Sequence, residues 1–151
     1  MTTTDDGQHH AVSRPDHVVV NGRRRLELPA DPGELDRFSV TLETFEYTCH
    51  TGRPIGGRWL CVALGDVLEA ADLPPATTHV LVEGADEYRI CLDIHTALES
   101  HLGLRRIGGA EDTPRLHAPS IPSERTVRSV VRIDPIAIDA GTDPREFETI
   151  G

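Results

Sequence analysis

The sequence predicts one compact α+β domain built on a mixed sheet. Several short segments alternate apolar and polar residues as strands do, and two others repeat apolar residues at helical spacing. The 151 residues suffice for one hydrophobic core but not for two domains of ordinary size. Short helices set among locally paired strands are typical of the α+β class. We place the domain at residues 17–138, between a flexible polar tail over 1–16 and a C-terminal tail over 139–151.

The first predicted element is a β-hairpin that begins at His17. Three valines lead into Asn21-Gly22, and the run RRRLEL follows. An Asn-Gly pair between two strand-like runs is typical of a two-residue type I′ turn. The sequence therefore predicts such a turn at Asn21-Gly22.

The clearest predicted strand covers residues 38–49. Phe38, Val40 and Leu42 alternate on one face, and a second set that ends at Cys49 alternates on the other. A stretch rich in Gly and Pro follows over 50–58 and predicts a loop. Cys49 therefore lies where a strand gives way to a loop, a position that commonly presents reactive groups.

The remaining elements alternate short helices with short strands. Periodicity predicts a helix over 64–71, strands over 79–84 and 88–93, a helix over 94–102, a loop over 103–114, and strands over 115–119 and 125–133. In the last strand, the same pattern predicts Val127, Val131 and Ile133 on one face and Arg128 with Arg132 on the other.

The charge of the chain disfavours nucleic acid and membranes as partners. Fifteen basic residues, all Arg, stand against 25 acidic ones, so the formal net charge is −10. This composition resembles that of salt-adapted proteins. No apolar run approaches the roughly 20 residues that span a bilayer, and the first residues carry no leader pattern, so we expect a cytoplasmic protein.

Cys49 is the residue best placed to ligate a metal. Thiolates suit soft metal centres, and the neighbouring Arg53 and Arg58 would favour the thiolate form. The alternative is that Cys49 packs as a small apolar residue, as most free cysteines do. Cys61 and Cys91 lie in apolar runs and are expected in or near the core.

Two further patterns leave alternatives open. Arg125, Arg128 and Arg132 could form an anion site, because guanidinium groups bind phosphate in a bidentate manner, or they could be charges on a solvent-facing strand. His50 adjoins Cys49 but would point to the opposite face of an extended strand. The eight histidines form no paired zinc motif, so a zinc site is a distant possibility.

Several segments, in their order along the chain, resemble the molybdopterin-binding domain of sulfite-oxidase-type enzymes. The matching segments are 47–51, which includes the Cys, 59–62, which begins with Trp59, the helix 64–71, the strand-turn-strand-helix unit 79–98, and the strand 125–133. The resemblance runs from about His17 to about residue 138. It implies the mixed-sheet, sulfite-oxidase-type fold in a single domain.

The resemblance also implies a function and a site. The chain would be a molybdopterin-dependent oxidoreductase that transfers an oxygen atom on a small oxyanion or sulfoxide, with a separate electron-transfer partner. Cys49 would be the metal ligand and a catalytic residue, with Arg53 beside the substrate. The implied cofactor contacts are His50, Thr51, Arg125 and Arg128.

A second function is motivated by departures from the family pattern. Residues 1–16 show no segment equivalent to the one that grips the pterin, the region 98–114 is shortened, and Ser129 replaces a Trp. The alternative is a binding or interaction protein that keeps the fold without the cofactor. A zinc-binding regulator is a distant third.

Overall fold

The computed structural model describes residues 15–48, 54–109, 113–119 and 126–150. The strands are β1 (His17–Asn21), β2 (Arg25–Pro29), β3 (Val40–Thr48), β4 (Pro54–Ala63), β5 (His79–Gly84), β6 (Arg89–Asp93), β7 (His101–Arg106), β8 (Arg115–His117) and β9 (Val130–Ile136). The helices are α1 (Leu64–Ala70) and α2 (Ile94–Leu98), and short 3-10 turns cover Pro32–Glu34 and Pro144–Phe147.

The strands form two sheets. The first has the order β2-β1-β9-β5-β6, in which β1 and β9 run parallel and the other neighbours run antiparallel. The second has the order β3-β4-β7-β8 and is antiparallel throughout. The predicted combination of a mixed sheet with a few short helices is therefore confirmed.

One hydrophobic core joins both sheets to α1. Strand residues such as Val18, Val82 and Ile133 from the first sheet share it with Leu102 and Leu116 from the second. Helix α1 contributes Leu64, Val67 and Leu68, all fully buried. Each buried side chain of this size contributes about 1.5–3 kcal/mol relative to exposure. The helical spacing seen in the sequence is thus the pattern of residues that α1 buries.

The first hairpin is confirmed, but the predicted turn type is wrong. Asn21 pairs with Arg25, so three residues connect the strands, and neither Asn21 nor Gly22 has the positive φ that a type I′ turn requires. The turn instead packs on the end of α1, where the amide of Arg24 donates to the carbonyl of Ala71. A Cβ on Gly22 would collide with that carbonyl, so glycine is needed here for close approach.

Two predicted loops are partly strands. Residues 54–58 belong to β4, which pairs with β3 from Val40↔Val62 to Thr48↔Pro54. The helix predicted over 94–102 ends at Leu98, and residues 101–106, partly predicted as helix and partly as loop, form β7. Gly and Pro have low strand propensity, so these residues do not look like strands in the sequence. They form strands because an adjacent strand pairs with them through backbone hydrogen bonds.

The last strand is shorter than predicted. β9 begins at Val130, and Ser129 before it has a φ of 50°, which breaks the alternation of an extended chain. A register shift between Glu83 and Gly84 of β5 accompanies this change. Val130 is therefore buried, whereas Val131 is only partly so.

The C-terminal residues lie against β6. Thr149 forms a bridge with Arg89, and the carbonyl of Phe147 accepts from the Arg89 side chain at 2.9 Å. The Glu148 carboxylate accepts from the amide of Cys91 at 2.8 Å. Part of the segment assigned to a C-terminal tail thus covers the edge of the first sheet. Within the described residues, no helix is long and apolar enough to cross a membrane.

Candidate functional site

The β3–β4 hairpin brings the chain to the candidate metal ligand. Thr48 pairs with Pro54 at the last position of the hairpin, so residues 49–53 connect the two strands. Cys49, His50, Thr51 and Arg53 fall in this connection, outside the residues that the structure describes. Arg125 falls outside them as well. Their roles rest on the sequence, while the backbone of the hairpin that leads to Cys49 is described up to Thr48 and from Pro54.

Arg128 does not lie on a strand, which corrects the prediction of an arginine strand. It precedes β9, its side chain is exposed, and the turn at Ser129 separates it from Arg132. The Arg132 guanidinium lies 2.9 Å from the Asp134 carboxylate and 3.6 Å from that of Glu83. Carboxylates thus balance the charge of Arg132, which favours the interpretation of Arg132 as a surface charge.

Aromatic and histidine rings pack together on one face of the second sheet, and the ring of His101 lies beside them, with its centroid 5.8 Å from that of Phe45. Phe45 stacks on His117 with centroids 4.1 Å apart and planes 4° from parallel. Trp59 lies against both, at 5.9 Å from Phe45 and 4.3 Å from His117. We call this group, Phe45, Trp59 and His117, the ring cluster. It joins β3, β4 and β8 through side chains, and each aromatic pair contributes about 0.5–1.5 kcal/mol beyond its buried area.

His117 is a neutral, buried histidine. Its side chain has no exposed area, and burial is the main reason that its pKa falls to about 3, with further lowering by the positive charges of Arg115, His101 and Arg106. At neutral pH the imidazole therefore packs as an uncharged ring. It suits a structural role between Phe45 and Trp59 rather than that of a proton donor.

Arg106 ties the ring cluster to the hairpin. From the last residue of β7, its guanidinium lies 5.2 Å from the Trp59 ring centroid and donates to the carbonyl of Gly56 at 2.6 Å. A Cβ on Gly57 would lie 2.9 Å from the Arg106 Nε, so the guanidinium crosses the strand where no side chain stands. A hydrogen bond from a charged donor stabilises by about 1.5–3 kcal/mol, and the cation–π contact by roughly 0.5–2 kcal/mol.

Cys61 lies on the same face of β4 as Trp59, and it is buried as the sequence predicts. Its thiol contacts the Trp59 carbonyl at 3.6 Å. Burial and then the nearby Glu43 carboxylate raise its pKa to about 12. The thiol is therefore protonated at physiological pH and unsuited to ligating a metal. Cys91 is also buried, in agreement with the prediction.

Neither Arg106 nor His117 stood out among the residues considered from the sequence. Arg106 stood in the predicted loop 103–114, and His117 in the short predicted strand 115–119. One signal was present: Leu102 and Leu104 flank Gly103 in strict alternation, which indicates β7 and would have placed Arg106 at a strand end. Nothing local indicates that His117 stacks on Phe45, because 72 positions separate them.

Neither a cluster of metal-binding side chains nor a cavity among the described residues provides separate evidence for the position of a functional site. Among the parts of the chain that the structure describes, no three His, Cys, Asp or Glu side chains converge as metal ligands. A cavity of about 510 Å³ lies beside β1 and the Asp31–Arg105 ion pair, and Arg128, the predicted site residue that the structure describes, is not among the described residues that line it. The hairpin with its ring cluster is therefore the candidate site that remains.

Comparison with known proteins shows a shared fold. No protein-family model matches the chain, and no curated protein sequence matches it. The crystal structure of the sulfane dehydrogenase SoxCD from Paracoccus pantotrophus is similar, with a TM-score of 0.71 and 19% sequence identity. The match covers 88% of this chain and 40% of that one, so this chain spans less than half of that chain's length. At this identity the likeness shows the fold alone.

Proposed function

We propose that the chain is a molybdopterin-binding oxidoreductase domain of the sulfite-oxidase type, which transfers an oxygen atom on a small oxyanion or sulfoxide. The observation that carries the proposal is the fold shared with a sulfane dehydrogenase over 88% of the chain. The sequence resemblance to the sulfite-oxidase type, centred on Cys49, points to the same kind of chemistry. A separate protein would accept the electrons.

In this proposal, Cys49 is the residue next to the hairpin that would hold a metal-bound cofactor. Cys49 follows Thr48 directly, at the end of nine consecutive strand pairs, and its thiolate is a suitable ligand for a soft or high-valent metal. Since both other cysteines are buried, and the Cys61 thiol is held protonated, Cys49 is the cysteine left for this role. When bound, the cofactor would supply the two-electron redox chemistry and the site of oxygen transfer.

The other proposed roles divide between substrate and cofactor. Arg53 would orient an anionic substrate, because its guanidinium can bind two oxygens of an oxyanion at once. His50 and Thr51 would contact the cofactor from the same connection. The exposed Arg128, which precedes β9, would contact its phosphate together with Arg125.

The decisive experiment is metal analysis of protein produced in a host that makes the cofactor. The proposal expects about one molybdenum or tungsten atom per chain in the wild type and none in Cys49→Ser, because one thiolate supplies the protein ligand. Cys91→Ser serves as the matched control and retains the metal, since Cys91 is buried in β6. A folded wild type without either metal contradicts the proposal.

A second candidate function is a binding or interaction protein that has kept the fold without the cofactor. The observation that favours it is the pairing of Arg132 with carboxylates, which takes one of three arginines from the expected anion site. It expects a wild type that holds no metal and a partner interaction that survives Cys49→Ser.

A further inference from the structure

The first residues of β4, next to the connection 49–53, have a paired strand on one side only. Its pairing with β7 ends at Trp59↔Arg106, with one more hydrogen bond from the Ile107 amide to the Arg58 carbonyl. Beyond that point, the described backbone pairs β4 with β3 alone. The stretch from Pro54 to Gly57 is thus an edge of the sheet, and its two glycines and proline have low strand propensity.

The side chain of Arg106 continues the sheet where the β7 backbone leaves it. Its donation to the Gly56 carbonyl, at 2.6 Å, occurs two residue pairs before the end of the hairpin at Thr48↔Pro54. At roughly 3.3 Å per residue, this contact lies about 7 Å from that end. The Trp59 ring holds the guanidinium from one side, and the missing side chain of Gly57 leaves it room.

We propose that Arg106 is a positioning residue, which fixes the end of the β3–β4 hairpin and thereby the start of the connection that contains Cys49. Three observations on the described residues concern this one guanidinium. It donates to the carbonyl of Gly56, it lies over the ring of Trp59, and it occupies the space that a side chain at Gly57 would fill. The consequence for metal binding rests on the proposed function. The consequence for the hairpin does not.

The neighbouring Arg105 provides a matched control. It has the same side chain on the same strand, but it is exposed and pairs with Asp31 at 3.3 Å. The test compares Arg106→Met with Arg105→Met. Arg106→Lys keeps the charge but loses the planar fork. Gly57→Ala retains Arg106 and displaces its guanidinium, so the inference stays testable if Arg106→Met folds poorly.

Two measurements on metal-free protein test the hairpin itself. The first is amide hydrogen exchange at residues 56–58, which should become faster by about tenfold in Arg106→Met if a charged hydrogen bond holds this edge. The second is the fluorescence of Trp59, the one Trp of the chain, which should change when the guanidinium leaves its ring. Arg105→Met should change neither, Gly57→Ala should resemble Arg106→Met, and Arg106→Lys should fall between.

Two further measurements distinguish a role of Arg106 in positioning Cys49 from a role in stabilising the hairpin alone. The rate at which iodoacetamide alkylates Cys49, assigned by difference from Cys49→Ser, should change in Arg106→Met and not in Arg105→Met. In a wild type that binds molybdenum, occupancy should fall in the same variant. Unchanged exchange at 56–58, or faster exchange with unchanged Cys49 reactivity, overturns the inference. A wild type without metal refutes the proposed function alone, since exchange, fluorescence and alkylation still decide the role of Arg106.

Discussion

Phe45 and His117 stack face to face, with centroids 4.1 Å apart, although they lie on opposite edge strands of the second sheet's order. Trp59, on β4, one of the two strands between them, packs against both rings. β3 and β8 are not paired neighbours in the sheet, so the contact between Phe45 and His117 links the two strands through their side chains alone. The stability of this face therefore depends on the uncharged state of one histidine.

Acid should destabilise the protein through His117. Its pKa is about 3 in the folded protein against 6.5 for a free histidine. Between these values the unfolded chain binds more protons, so stability falls as the pH drops through this window. From pH 7.5 to 5.0 the contribution of His117 is a loss of about 2 kcal/mol, since each pH unit at full linkage is worth about 1.4 kcal/mol.

Urea denaturation of wild type and His117→Phe at both pH values measures this contribution. The variant keeps a ring for Phe45 to stack on and loses the titrating group, so it should lose less stability on acidification. His17→Gln removes an exposed histidine and should behave as the wild type does. Equal acid sensitivity of wild type and His117→Phe would show that His117 is not the titrating group.

Gly103→Ala should destabilise the ring cluster. A Cβ at this position of β7 would lie 3.0 Å from the Trp59 Cδ1 and 3.1 Å from the His117 Nε2, closer than packed atoms normally approach. Overpacking of this kind costs about 1–3 kcal/mol. The free energy of unfolding should fall by that amount, whereas Gly141→Ala, with nothing within 4 Å of the added Cβ, should leave it nearly unchanged.

Cys61 should resist alkylation in the native protein. Burial raises the pKa of its thiol to about 12, so almost none of the reactive thiolate exists at pH 8. Peptide mapping by mass spectrometry after iodoacetamide treatment should find Cys61 modified in urea and unmodified in buffer. Rapid native modification at Cys61 would contradict its described burial.

Glu148→Ala should loosen the C-terminal segment from the edge of the first sheet. Its carboxylate accepts from the Cys91 amide at 2.8 Å, so the variant loses a charge-assisted contact worth about 1.5–3 kcal/mol. Hydrogen exchange at Cys91 should become faster. Glu146→Ala, an exposed carboxylate on the same segment, is the control and should leave that amide protected.

The sequence by itself determined the class of the fold and most of its elements. Apolar runs located β1 and β5, alternation located β3 and β6, and helical spacing located α1, because these patterns record which residues face the shared core. The resemblance that singled out Cys49 also depended on local segments in a fixed order. Such patterns involve residues that are close together in the sequence, so they can be recognised without knowing which strands pair.

Only the tertiary structure showed which contacts form between strands that lie far apart in the sequence. Gly56 and Gly57 look like loop residues, yet pairing with β3 makes them a strand and Arg106 crosses them. The turn at Gly22 is shaped by the end of α1 rather than by its Asn-Gly pair. The neutral state of His117 likewise follows from the residues that bury it. These features escaped local patterns because each is a contact between segments far apart in the chain.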